Sequence, residues 1–236
     1  VNPLPYLQII PLESICLNNT PENITVKPIG GLLSGSGVEN NYMFNPSLAG
    51  VGTHQITYSY TDFNNCSNSN TIDVVVNPIP NPNAGENEMA CGLSYNLNAI
   101  IGNNSSSNWE MVENVDFSNH ENPNTLVVVP NYGLWSFTLK EENEFGCITT
   151  DQVSIEFIEG STVFAGNDIQ ICPDDTVILA GATANNYQLF NWESSGSGDF
   201  LGNEINCLYA PNTNDIEDGS IVLTLNLENN PCPIVS

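Results

Sequence analysis

The sequence predicts an all-β chain built as a tandem array of three small β-sandwiches, and three observations carry that prediction. Apolar and polar residues alternate in short segments, as in HQITYSYTD from His54, and helical periodicity is nearly absent. A strand–turn–strand pattern with a cysteine in its turn occurs at 54–80 and again at 132–157, and its first half recurs at 219–232. Ala-Gly stands the same distance ahead of a cysteine twice, in AGENEMAC (Ala84 to Cys91) and AGNDIQIC (Ala165 to Cys172). Such self-similarity sets the domain count better than length does. It divides the chain into a tail of a preceding repeat at 1–5 and units at 6–80, 81–159 and 160–236.

Unit one opens with Cys16, passes through the β-favouring NITVKPI and the glycine-punctuated GGLLSGSG, and turns at FNPSLAGVG into the strand at His54. Along that strand Ile56, Tyr58 and Tyr60 face one side while Gln55, Thr57, Ser59 and Thr61 face the other; Ile72, Val74 and Val76 repeat the pattern after Cys66. Unit two runs from AGENEMAC through YNLNA to Trp109, and ends in YGLWSFTLKEENEFGCITTDQVSIEF. Unit three repeats the order with TVILAGA, Trp192, LYAPNTNDIEDGS and GSIVLTLNLENNPC. Trp109 and Trp192 occupy equivalent positions and are expected to pack in the core. Leu32 or Leu33 takes that place in unit one, and Tyr209-Ala210-Pro211 corresponds to Phe44-Asn45-Pro46. Beyond Cys232 only PIVS follows, so the third hairpin is expected to lack its returning strand or to borrow one. VNPLP at the start recurs as VNPIP at 76–80, and the chain therefore reads as a segment of a longer repeat protein.

Composition narrows the partners. Hydrophobic residues make up 40% of the chain, enough for packed cores, and 27 acidic residues against two basic ones give a net charge of −25. That charge disfavours nucleic acid and anionic membrane surfaces, both of which need Lys and Arg. No apolar run approaches the ~20 residues of a membrane span, and no basic-then-apolar leader opens the chain.

The seven cysteines fall into a pattern of one near the start of each unit (Cys16, Cys91, Cys172) and one in the late turn (Cys66, Cys147, Cys232). Pairing within each unit gives Cys16–Cys66, Cys91–Cys147 and Cys172–Cys232, each closing a loop of about 50–60 residues worth roughly 4 kcal/mol. Zinc is the competing reading, but there is no CxxC pair and His54 and His120 lie in different units. Disulfides imply an oxidising, extracytoplasmic compartment. Cys207 is left over as a free thiol, filling a strand position or making an intermolecular contact.

Neither histidine has a nucleophile motif beside it, so no catalytic residues are expected. Calcium is the most credible ligand, because hard cations take clustered oxygens. Its candidate sites are Glu86 and Glu88 at the first junction, Asp168 at the second, and Asp215, Glu217 and Asp218 in NTNDIEDG, which lacks the EF-hand ligand spacing.

These strings together resemble the Ig-like/PKD-like repeats of very large Bacteroidetes surface proteins. The resemblance covers essentially the whole chain: GGLLSGSGVENNYMFNPSLAGVG and the hairpin after it in unit one, AGENEMAC and YGLWSFTLKEENEFGC in unit two, and AGNDIQIC, NWESSGSGDF and YAPNTNDIEDGSIVLTLNLE in unit three. It implies three Ig-like sandwiches in a non-catalytic extracellular adhesin or stalk of the gliding-motility type, exported by the type IX secretion system. A cell-surface protein or glycan would be the partner. It also implies that Asp175-Thr176-Val177 is similar to the short O-glycosylation sequon of that phylum, modified at Thr176. No C-terminal sorting domain accompanies the match, and unit one departs from it in lacking the tryptophan. A carbohydrate-binding accessory region of a secreted polysaccharide-degrading enzyme is the alternative.

Overall fold

A computed structural model of the chain describes residues 2–173 and 175–236. Unit one comprises β1 (Gln8–Ile9), β2 (Ile15–Cys16), β3 (Glu22–Asn23), β4 (Val26–Lys27), β5 (Leu32–Ser34), β6 (Val38–Glu39), β7 (Met43–Phe44), the short helix α1 (Pro46–Ala49), β8 (Gly52–Thr61) and β9 (Ser67–Asn77). One sheet has the order β2-β9-β8-β5 and the facing one β3-β7-β6, while β1 pairs β4. The long hairpin β8–β9 is antiparallel in unbroken register from Gly52↔Val76 to Thr61↔Ser67. The short β2 pairs in parallel with the far end of β9, Cys16 opposite Asn77.

Unit two repeats this plan with β10 (Glu88–Cys91), β11 (Ser94–Asn98), β12 (Ser106–Trp109), β13 (Asp116–Phe117), β14 (Asn124–Val128), β15 (Gly133–Glu142) and β16 (Ile148–Ile158). Its sheets are β10-β16-β15-β12 and β11-β14-β13. Again the first strand runs parallel to the last, with Cys91 opposite Ile158. A four-stranded sheet with a parallel first–last pair, packed on a three-stranded one, is the strand order of an immunoglobulin-like sandwich, and Trp109 sits on the strand where that fold buries its tryptophan.

Unit three contains β17 (Thr162–Phe164), β18 (Val177–Ile178), β19 (Thr183–Asn185), β20 (Leu189–Ser194), β21 (Asp199–Leu201), β22 (Leu208–Ala210), the helix α2 (Thr213–Asp218), β23 (Leu223–Asn229) and β24 (Cys232–Val235). Its sheets are β18-β22-β21 and β20-β23-β24, with β17 paired to β19. Where β9 and β16 each have 11 residues, β24 has four. No strand among the described residues pairs with 169–172, the counterpart of β2 and β10, and Ile169 and Ile171 are exposed there.

Each sandwich has its own core. Ile24, Phe44, Ile56, Tyr58, Val74 and Val76 anchor the first. Leu97, Trp109, Val127, Phe137, Leu139 and Ile155 anchor the second, and Trp192, Tyr209, Leu225 and Leu227 the third. The chain exposes 14102 Å², against about 10,400 Å² for one compact monomer of this mass, as separate small cores require.

Register explains the missing tryptophan of unit one. Leu33 pairs with Tyr58 where Trp109 pairs with Leu139 and Trp192 with Leu225. The large ring has moved to the neighbouring strand, so the facing positions hold one aromatic and one aliphatic side chain in every unit. Trp109 is completely buried, and Trp109→Ala is expected to lower the stability of unit two by about 3–5 kcal/mol. Denaturant unfolding followed by near-ultraviolet circular dichroism checks this.

Candidate functional site

The junctions between units carry the chemistry that sets this chain apart. Disulfides join Cys16 to Cys147 and Cys91 to Cys232, with Cα–Cα distances of 5.6 and 4.9 Å. Both cross from one unit to the next: the early cysteine of a unit is bonded to the late-turn cysteine of its successor. Cys66, Cys172 and Cys207 are free.

This corrects the pairing within units, Cys16–Cys66, Cys91–Cys147 and Cys172–Cys232, that spacing predicts. The physical reason is the parallel strand pair. Cys16 lies opposite Asn77 at the end of β9, whereas Cys66 directly precedes Ser67 at its beginning. Eleven residues of strand separate them by roughly 33 Å at ~3.3 Å per residue, far beyond the ~7 Å that a disulfide tolerates. In units one and two the two cysteines therefore occupy opposite poles of the sandwich, where only a neighbouring unit can reach them. Recognising ESIC and EMAC as strands parallel to VVVN and IEFI would have revealed this from the sequence.

The turn that presents the late cysteine is built locally. In unit two Asn143 Oδ1 accepts the N–H groups of Phe145 and Cys147 at 3.1 and 3.0 Å, and Gly146 supplies a positive φ of 75°. In unit one Asp62 Oδ1 does the same for Asn64 and Cys66 at 2.8 and 2.9 Å, with Asn65 at φ 60°. A carboxylate or carboxamide four residues ahead of the cysteine thus fixes its direction. Hydrogen bonds seat the stapled turns on the preceding unit's exit segment. Asn143 Nδ2 donates to the Pro78 carbonyl at 2.8 Å, Thr149 Oγ1 to that of Pro80 at 2.7 Å, and Asn229 Nδ2 to that of Glu159 at 3.0 Å. Asn18 Nδ2 returns one to Ile148 at 3.0 Å.

The acidic candidates do not converge. Among the described residues no three of His, Cys, Asp and Glu gather as a metal ligand set. Glu88 Oε2 accepts the Tyr95 hydroxyl at 2.7 Å; burial, and then this bond to a carboxylate, push that phenol up to about 12. Glu86, Asp168, Glu217 and Asp218 enter no hydrogen bond that gathers them, whereas Asp215 is buried. Its carboxylate accepts N–H groups from Ser197 (2.7 Å), Gly198 (2.9 Å) and Asn212 (3.2 Å) and the Tyr209 hydroxyl (2.8 Å). It is the N3 residue of a capping box with Asn212 that starts α2, so its lone pairs pin the 195–198 loop to that helix. Gly196 and Gly198 are required there, since a Cβ on either would meet the Asp215 carboxylate at 2.3 and 2.6 Å. Sequence reading missed this role; the capping box N-x-x-D in NTND is the signal that points to it.

The remaining candidates are dispersed. Thr176 is exposed just before β18. His54 Nε2 bonds the Gly50 carbonyl at 2.8 Å and His120 Nδ1 the Asn108 carboxamide at 3.1 Å, in different units. Trp109 and Trp192 donate their indole N–H groups to the carbonyls of Pro123 and Ile205 at 3.3 and 2.9 Å, so neither ring presents a face to a ligand. Glu141 is fully buried in unit two, one carboxylate oxygen accepting Gly102 N–H at 2.8 Å and the other without a protein partner.

Two predictions follow from this geometry. Peptide mapping of the oxidised protein is expected to recover Cys16–Cys147 and Cys91–Cys232, and native alkylation to modify Cys66 and Cys172. Cys207, buried with its thiol pushed up by desolvation, reacts only after unfolding. Donors led by the Ser197 N–H hold the Asp215 carboxyl below its ordinary value of 3.8, so its stabilising contribution is full above that value and fades as pH falls through the lower folded one. Asp215→Asn is therefore expected to lower the melting temperature above about pH 5, with the difference shrinking toward about pH 2. Thermal melts of both proteins across that range check it.

No protein-family model matches the chain, and no curated protein matches it. Solved structures with which it shares remote likeness include Sidekick-1 immunoglobulin domains 1–4 (11% identity, TM-score 0.41, 98% of this chain and 74% of that one). Others are the Sidekick-1 segment of domains 1–5 (11%, 0.40, 98% of this chain) and a three-immunoglobulin-domain segment of titin (9%, 0.38, 98% and 95%). The chain spans 59% of the length of the five-domain Sidekick-1 structure. The immunoglobulin-like assignment rests on the strand order, the parallel first–last pairing and the position of Trp109, and the chain is a tandem of such sandwiches.

Proposed function

We propose that this chain is a non-catalytic, covalently stapled repeat segment of an extracellular surface protein, whose work is to hold a row of Ig-like units together and present them outward. One observation carries the reading: the two disulfides link unit one to unit two and unit two to unit three, rather than closing each unit on itself. Bonds of this kind persist in oxidising compartments. They do little that a within-unit bond would not do for a lone domain, but they resist separation of neighbours. Their loops, with separations of 131 and 141 residues, contribute at most about 5 kcal/mol each in the chain-entropy model. The excess acidity keeps such an exposed array soluble and apart from its copies. No helix among the described residues is long and apolar enough to cross a membrane. The finer reading, a gliding-adhesin-type surface protein of Bacteroidetes exported by type IX secretion with a glycan or protein ligand, rests on the quoted repeat strings alone. The alternative of a carbohydrate-binding accessory region is disfavoured by the burial of both repeat tryptophans.

The staples overlap in sequence, and this makes the proposal measurable. The shortest covalent route from Asn2 to Ser236 crosses both bridges: it runs 14 residues to Cys16, 56 back from Cys147 to Cys91 and four beyond Cys232. At ~3.5 Å per residue those roughly 74 residues extend to about 260 Å, against about 820 Å for the unbridged chain. Single-molecule stretching is expected to give the short contour length when oxidised and the long one under dithiothreitol. Equal lengths in both states would remove the stapled-array reading. Saturable binding on a glycan array would favour the accessory-region alternative.

A further inference from the structure

Two of the free cysteines are not arbitrary leftovers. Cys66 is the late-turn cysteine of unit one and Cys172 the early cysteine of unit three, so each is the unused half of the staple that joins the other units. We infer that Cys66 is a docking cysteine for an Ig-like unit lying directly N-terminal to unit one, whose own early cysteine bonds to it as Cys16 bonds to Cys147. The inference extends the stapled-array reading and rests on it.

Independent features at the open junction reproduce the closed one. The turn holding Cys66 has the same hydrogen bonds from Asp62, and the same positive φ before the cysteine, as the turn holding Cys147. Asn68, two residues after Cys66, donates its Nδ2–H to the Pro5 carbonyl at 2.9 Å. Thr149, two residues after Cys147, makes the corresponding bond to Pro80. Pro5 and Pro80 end the matching segments VNPLP and VNPIP, so the chain enters unit one along the path by which unit one enters unit two. Covering also differs as an open junction requires. Cys147 in the stapled turn is completely buried, while Cys66 in the open turn is only half-buried. The partner that fits is therefore a sandwich ending in V-N-P-apolar-P, with a cysteine closing a short strand parallel to its last one. By the same rule Cys172, at the end of the unpaired and exposed IQIC, is the donor half toward a following unit.

The bond needs an oxidant, and a disulfide such as oxidised glutathione suffices. The early cysteine's thiolate attacks it, releasing one glutathione thiolate. The Cys66 thiolate then attacks the protein sulfur of the mixed disulfide and expels the second. Two protein thiols become one disulfide, and one oxidised glutathione becomes two reduced molecules.

The test adds a unit in front of the intact chain in the register the sequence provides, by inserting between Pro5 and Tyr6 a second copy of residues 6–80 that carries Cys66→Ser, so that the resident Cys66 is the one Cys66 present. After oxidation with a glutathione couple, mapping is expected to find Cys16 of the added unit bonded to Cys66 of the resident unit one. Native alkylation at that Cys66 is lost. A resident Cys66 that stays alkylatable overturns the inference, as does a bond from the added Cys16 to any cysteine other than Cys66. A second chain carrying residues 81–156 directly ahead of Val1, so that VNPLP still leads into unit one, repeats the test should the first added unit not fold; there the expected bond is between the added Cys91 and Cys66. Retention of Cys16–Cys147 and Cys91–Cys232 with an unbonded Cys66 would overturn only the inference. Loss of those two bonds as well would overturn the stapled-array reading with it.

Discussion

The parallel pairing of the first short strand with the end of the final strand, in units one and two, is the constraint on which the rest of the molecule depends. A final strand of 11 residues sets its two ends roughly 33 Å apart. Because one cysteine lies beside its exit and the other just ahead of its entry, a disulfide inside the unit is geometrically excluded. What remains within reach is the neighbour. The same short strand thus completes one sandwich and carries the anchor for the next, so folding of a unit and attachment of its successor use one element.

The cores obey a simpler rule. Facing positions on an edge strand and its inner neighbour hold one ring and one aliphatic side chain, with the ring on either strand: Tyr58 with Leu33, Trp109 with Leu139, Trp192 with Leu225. Buried polar atoms at the tips of these rings find backbone partners, as the Trp109 and Trp192 indoles do. Asp215 is spent in a comparable way, its negative charge matched by three N–H groups and a hydroxyl, which binds a glycine-rich loop to a helix too short to stand alone. An acidic cluster in sequence becomes a structural fastening in space.

Much of this was legible in the residues. Alternation from Gln55 to Thr61 marks the long strand, and Ala-Gly ahead of Cys91 and Cys172 marks the repeat. The correspondence of Phe44 with Tyr209 holds at the level of strands β7 and β22. The tryptophan position was legible only to within two residues, because Leu32 and Leu33 are alike in type; register alone assigns it to Leu33. The calcium candidates drew on carboxylates that are near one another in sequence, yet hydrogen bonding and exposure disperse Glu88 and Asp215 to separate tasks.

By itself the sequence determined an all-β repeat with one early and one late cysteine per unit, since period-two alternation and repeat spacing are local properties. Only the tertiary structure decided which cysteines meet. Spacing along a chain measures contour and not direction, and β2 and β10 run parallel to the strands they join. That single directional fact turns the three expected within-unit bonds into two staples between units, and leaves Cys66 and Cys172 as open halves.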